Sequence, residues 1–440
     1  MKEHKYEISA VYFPNYHAGD PHNEQWHGKG WSEWELVRRA GPRFAGHRMP
    51  KEPLWGYEDE ADVAVMDRKI RTAVEYGITN MLFDWYWYED GPFLNKPLDE
   101  AFLRCDSARN IRFSLLWANH DWTDIHPLPR AYRGRPRCEL PWNISETSFF
   151  SAVDTMIGRY FSRDNYFRLN GGLFFCLYDL NRFVKNFGGT ERAAALLAEM
   201  RRRVRTAGLG DMHINAVVWE SGILCGEESM LDFDSTRLKS LGVDSLTSYV
   251  WVHEHPIDTF PSVPYAQYRK VCENDFDRLS AKYAGMAYYP CVTAGWDASP
   301  RTVQSDTFDN VGYPFSPVLT DNNPYEFEQA LRSVKEKLDA SALQTRMVVI
   351  NAWNEWTEGS YLEPDTEHGY GRLEAVRRVF GAGNRHGTIQ TADDGRQDRP
   401  YYKTQEENHE KIINGHTAGS DASAERRGVY AKRADFGTGR

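Results

Sequence analysis

The sequence predicts an α/β chain folded as a (β/α)8 TIM barrel, with long βα loops after strands 1 and 3. Three observations carry this. Eight short runs of aliphatic, β-branched or aromatic residues recur along the chain. Amphipathic helical patterns separate most of them, as in βαβ units of a parallel sheet. No G-x-G-x-x-G follows the first run, which weakens a doubly wound dinucleotide-binding sheet.

The runs are Ile8–Phe13, Ile78–Phe83, Ile111–Trp117, Leu173–Tyr178, Ile214–Trp219, Ser245–Val250, Tyr288–Thr293 and Met347–Ile350. Helical spacing covers Ala61–Tyr76, Thr190–Ala207 and Pro324–Leu338, the last opening with Pro followed by acids as a helix start should. The stretches from Tyr16 to about Asp62 and from Asp121 to about Asn143 are rich in Pro, Gly, Arg and Trp and read as long functional loops. Residues 1–380 are expected to form the catalytic barrel. From about Gly381 to residue 440 aliphatics thin out, and this part reads as a polar, weakly ordered extension.

Bulk properties narrow the function. The chain has 440 residues, with 53 Lys and Arg against 63 Asp and Glu, a net charge of -10, which argues against a nucleic-acid partner. Six scattered cysteines form no C-x-x-C pair, so neither disulfides nor zinc is required. The first residues contain no apolar leader-like core and no run of 18 apolar residues occurs, so no membrane insertion is expected. The chain as given reads as cytoplasmic, or as periplasmic or secreted if a signal peptide was removed.

A barrel does its chemistry where strands end. Just past the runs lie Tyr16, then Asp84, Trp85 and Trp87, then Trp117, Asn119, His120 and Trp122. Later runs deliver Trp251, Trp296 and Asn354. The last run leads into Asn351-Ala-Trp-Asn-Glu-Trp-Thr-Glu-Gly-Ser-Tyr-Leu-Glu-Pro364, which sets Glu355, Glu358 and Glu363 among Trp356 and other aromatics. Glycosidic-bond chemistry needs one acid for the departing oxygen and one carboxylate on the sugar's other side, and indoles give faces for sugars to stack on. Glu355 and Glu358 are the candidate catalytic pair. The first long loop adds Lys29, Trp31, Glu33 and Trp34 as candidate sugar contacts. Asp84 leaves its strand among aromatics and needs a partner, with a substrate hydroxyl or a lysine favoured over an arginine. His253-Glu-His255 and His120 do not follow a zinc-motif spacing, so no metal and no cofactor is expected.

Trp353-Asn-Glu-Trp-Thr-Glu-Gly359 followed by Tyr361-Leu-Glu-Pro364 resembles the signature of the WbsX-like family, whose members carry a glycoside hydrolase family 99-like domain. Trp26-His-Gly-Lys-Gly-Trp-Ser-Glu-Trp34, Phe83-Asp-Trp-Tyr-Trp87, Leu116-Trp-Ala-Asn-His-Asp-Trp122 and Gly369-Tyr370 match in the same order, from about residue 8 to 380. The resemblance implies a TIM barrel acting on a carbohydrate, with the Glu-x-x-Glu pair on Glu355 and Glu358. It implies retention of configuration through the substrate's 2-hydroxyl. Glu355 would assist that hydroxyl as a base, and Glu358, with a raised pKa, would protonate the leaving oxygen. A retaining glycoside hydrolase is therefore the leading expectation. The alternatives are a glycosyltransferase of cell-surface, O-antigen-type polysaccharide assembly and a non-catalytic carbohydrate-binding barrel.

Overall fold

The computed structural model describes residues 5–127, 136–224, 226–228 and 233–381. The expectation for the polar tail lies outside these residues. Nine parallel segments form the central sheet: β1 (Glu7–Tyr12), β2 (Asn80–Tyr88), β3 (Arg112–Trp117), β4 (Gly172–Leu177), β5 (Met212–Val217), β6 (Ser245–Thr247), β7 (Ala287–Tyr289), β8 (Cys291–Thr293) and β9 (Met347–Asn351). Each pairs in parallel with its sequence neighbour, except that β7 and β8 flank a single residue and do not pair with each other.

Among the described residues that exception is the one gap in the ladder of a nearly closed barrel. The run Tyr288–Thr293 reads as one strand, and the structure splits it at Pro290. A proline has no N–H for a ladder and breaks the pairing where it stands. The half before it pairs with β6 and the half after it with β9. The Pro290 carbonyl accepts from the Val349 N–H at 2.9 Å, so β9 spans the break. β9 then pairs with β1, which brings the ladder round to the first strand.

Helices cover most of the outside: α1 (Val63–Glu75), α2 (Glu146–Met156), α3 (Thr190–Thr206), α4 (Ser235–Ser240), α5 (Tyr265–Cys272), α6 (Asp275–Lys282), α7 (Pro324–Ala340) and α8 (Gly371–Phe380). Local signals fix their starts. Asp62, Ser145 and Asn323 accept from backbone N–H groups of the first turns of α1, α2 and α7, satisfying donors that the helix cannot. α1 buries Met66, Ile70, Ala73 and Val74, the i, i+4, i+7, i+8 stripe of a helix on a sheet. Between β2 and β3 the connection consists of short π and 3-10 turns rather than a regular α-helix. No described helix is long and apolar enough to cross a membrane.

Two amides tie neighbouring strand ends together at the mouth. Asn354 accepts from the Phe13 N–H and donates to the Phe13 carbonyl, both at 2.8 Å. Asn119 does the same with Asp179 at 2.7 Å in each direction. Beneath the mouth, Lys69 of α1 is buried between Glu60 and Glu363, at 2.5 Å from each. Glu60 also accepts from Tyr12 at 2.7 Å and from Asn354. This cluster joins the first long loop, α1 and the turn after β9. An ammonium placed between two buried carboxylates cannot be removed cheaply. Lys69→Met is expected to destabilise the fold by about 3–5 kcal/mol, measured by urea denaturation; an unchanged midpoint would show that the cluster does not hold the turn.

Candidate active site

β9 hands the chain to a tight reversal. Asn354–Glu355 pairs antiparallel with Ser360–Tyr361, and Trp356–Glu358 forms a 3-10 turn between them. Gly359 closes the reversal at φ 64°, and a Cβ there would lie 2.8 Å from the Asp297 side chain. Only glycine meets both demands. The turn points Glu355 and Glu358 into a cleft at the barrel mouth.

Arg301 organises the two acids. Asp297, at the end of the β8 segment, accepts from the Ser299 N–H at 3.0 Å and pairs with His47 at 2.7 Å, which starts the 3-10 turn Ser299–Thr302. From this turn the Arg301 guanidinium donates through Nη2 to Glu355 Oε1 and through Nη1 to Glu358 Oε1, both at 3.1 Å. It also reaches Thr357 Oγ1 at 3.2 Å, and its Nε lies 3.5 Å from Glu33. Tyr313 donates to Glu358 Oε1 at 2.6 Å and also bonds Arg301. All three carboxylates are buried, and Arg301 is 3% exposed. Unpaired, such charges would not stay ionised in this environment.

The carboxylates are held differently. Burial raises Glu33, but His126 and Arg301 with the Thr357 hydroxyl outweigh it and hold its pKa at about 2. Its oxygens receive Asn15 Nδ2 at 2.7 Å and Thr357 Oγ1 at 2.9 Å, and His126 Nδ1 lies 3.0 Å away. Glu355 goes the other way: burial, and next the adjacent Glu358 carboxylate, push it well above its usual range despite Arg301. Its Oε2 is buried without a partner. Glu355 is buried, at 3% exposure, and keeps one oxygen uncompensated.

The structure sorts the other candidates. Asp84, His120, Trp122 and Trp296 line the cleft with the Glu pair. Asp84 has neither a lysine nor an arginine: Tyr249 donates to Oδ2 at 3.0 Å, Oδ1 has no partner, and burial raises the carboxyl well above its usual range. Trp122 stacks on His126 at 4.3 Å, and Trp296 faces Tyr313. Trp85, Trp87 and Trp117 pack as a buried stack, with Trp87 Nε1 donating to Ser148, and do not line the cleft. Trp34, Trp251 and Trp356 are also core residues, whose indole N–H groups donate to the Glu58 carbonyl, the Cys291 carbonyl and Glu363 Oε2. Tyr16 accepts from the Thr357 N–H at 3.0 Å and so braces the Glu355–Glu358 turn. Asn119, Asn354 and Glu363 are used in the strand clips and the Lys69 cluster. Lys29 and Trp31 line a separate surface groove with Trp26 and Arg39.

Arg301 and His126 of the cleft, and Tyr313 beside Glu358, carry no sequence signal. Arg301 and Tyr313 lie in an irregular loop after β8, and His126 in the second long loop. Tyr249, Tyr178 and His253 sit near strand ends, so position pointed to them but no motif did. Arg301 carries the charge balance and Tyr313 one hydrogen bond. Arg301→Met is therefore expected to cost about 3–5 kcal/mol, against about 1 kcal/mol for Tyr313→Phe, in paired urea melts. Equal small losses in both would mean that Arg301 does not bridge the acids.

Sequence comparison matches residues 8–376 to the family described as Glycosyltransferase WbsX. Two proteins named "Uncharacterized protein WxcX", from two strains of Xanthomonas campestris pv. campestris, are each 27% identical over 387 residues, covering 85% of this chain and 49% of theirs. The chain thus spans about half the length of the curated relatives it matches. Among solved structures it is similar in fold to a "Glycoside hydrolase-like protein", with a TM-score of 0.54 at 14% identity over 86% of this chain and 94% of the other. The GH99 endo-alpha-mannosidase from Bacteroides thetaiotaomicron aligns over 86% of this chain and 96% of its own at 13% identity, with a TM-score of 0.47. With a family match across most of its length, the chain belongs to the WbsX glycosyltransferase family.

Proposed function

We propose that this protein is a carbohydrate-active enzyme that cleaves glycosidic bonds with retention, using Glu355 and Glu358 as its proton-handling pair. The observation that carries this reading is the bridging of two buried carboxylates by one guanidinium at a barrel mouth, with Glu355 Oε2 and Asp84 Oδ1 unpartnered in the cleft. Buried acceptors without partners await donors from a ligand, and sugar hydroxyls are such donors. Trp122 and Trp296 supply apolar faces beside them. The resemblance gives the 2-hydroxyl to Glu355 and the leaving oxygen to Glu358. A raised pKa makes Glu355 a stronger base than an ordinary carboxylate once it is ionised, which suits a weakly acidic hydroxyl.

Glycosyl transfer from a nucleotide sugar is the second reading, favoured by the family's description. Among the described residues lining the cleft, Arg301 is the one guanidinium or ammonium group, and three carboxylates already share it. Among the described residues a diphosphate would find little free positive charge there, which favours hydrolysis over transfer.

The test is reducing-end release from a panel of bacterial polysaccharides, followed by NMR of the first-formed anomer. Glu355→Gln and Glu358→Gln should each lower turnover by roughly 10²-fold or more while binding of the neutral polysaccharide is retained, and the product should keep its configuration. Near-normal rates in both variants would overturn the assignment. An inverted product would overturn retention alone.

A further inference from the structure

A second cluster of chemistry-bearing side chains lies behind the cleft wall. The turn Trp251–Glu254 follows β6 and contributes His253 to the cleft. The next residue, His255, meets α5 and α6, where Cys272 ends one helix and Asp275 starts the other. One donor atom from each of His255, Cys272 and Asp275 lies within 4.8 Å of the other two. Cys272 and Asp275 are buried, at 6% and 8% exposure, and His255 is half-buried.

The hydrogen bonds here are lopsided. Asp275 Oδ1 lies 2.7 Å from His255 Nε2 and also accepts from Arg278 at 2.9 and 3.1 Å. Oδ2 of the same carboxylate is buried with no partner at all. A buried carboxylate oxygen left bare beside an imidazole and a thiol is costly unless something binds it.

We propose that His255, Cys272 and Asp275 form a site for a divalent transition ion, zinc being the species that suits the donors. Nitrogen, thiolate and carboxylate oxygen are the zinc donor set, and three protein ligands leave one position for water. At zinc bond lengths of about 2.0–2.3 Å, tetrahedral ligand atoms stand about 3.3–3.8 Å apart. The three donors are thus within about 1.5 Å of coordination spacing.

The surroundings also balance. Arg278 would remain as an outer donor to Asp275, as ligating carboxylates commonly have. Its charge is met by Glu254 at 3.0 Å and by Glu220, which Lys282 also approaches at 3.7 Å. Asp275, Glu254, Glu220 and a Cys272 thiolate make four negative charges against Arg278 and Lys282. The excess of two matches a divalent ion. Burial keeps the Cys272 thiol protonated without a metal, so binding would release that proton. An ion here would pin the turn that carries His253 to two outer helices, and so stiffen the cleft wall.

Cobalt substitution tests this on the purified full chain after chelation. One equivalent of Co2+ should give a thiolate-to-cobalt charge-transfer band with tetrahedral d–d bands, and Zn2+ should displace both. The charge-transfer band should vanish in Cys272→Ser and persist in Glu355→Gln, which keeps this result separate from the glycosidic reading. Asp275→Asn should weaken Co2+ binding by at least about tenfold, and decides the matter if Cys272→Ser does not fold. No charge-transfer band at one equivalent, or the same band in Cys272→Ser from the exposed Cys138, would overturn the site. So would unchanged affinity in Asp275→Asn.

Discussion

The mouth of this barrel depends on one guanidinium shared by three buried carboxylates. Glu33, Glu355 and Glu358 come from the first long loop and from the turn after β9, and Arg301 from the loop after β8. Three acids this close could not all ionise alone, so Arg301 decides their charge states. It satisfies Glu33 together with His126 and leaves Glu355 the least compensated. The first loop is long because it must deliver Asn15, Glu33 and His47 to this centre from different directions. Its tryptophans and glycines serve that routing as well as any ligand.

The Glu355–Glu358 turn is clamped on two sides. Arg301, Tyr16 and Tyr313 hold its outer face, while Asn354, Trp356 and Glu363 bind it to the Glu60–Lys69 pair below. Burial raises the Glu60 carboxyl, and Lys69 opposes that by pairing with it. Such buried polar networks fix one geometry because any other leaves a group unpaired. A rigid Glu-x-x-Glu turn follows from sequence-distant contacts, with Glu60 and Asn354 separated by 294 positions.

Much of this was legible in the sequence, and the limits have physical causes. Strand and helix patterns are local, so the eight runs and the helices at Val63–Glu75, Thr190–Thr206 and Pro324–Ala340 were readable. The split at Pro290 was visible as a proline, but its place in the ring depends on partners far along the chain. Glu355 and Glu358 stood out because two acids follow a buried strand. Asn119 and Asn354 have the look of sugar-binding amides, and in the structure they pair with backbone instead. Trp85 and Trp117 lie at a strand end, yet period-two alternation sends them into packing. Arg301 was invisible because nothing in its own neighbourhood marks it; only the three acids do. His255, Cys272 and Asp275 show the same limit, since their spacing follows no motif and only the fold brings them together.

The most direct measurement is thermal stability of the purified protein with an iminosugar cation or with a nucleotide sugar and Mg2+. If the proposed glycosidic reading holds, the cleft should bind the iminosugar. At 100 times its dissociation constant this ligand would stabilise the native state by about 2.7 kcal/mol, and the effect should be lost in Glu358→Gln. Stabilisation by the nucleotide sugar alone would contradict the glycosidase reading and place the reaction with the transferases.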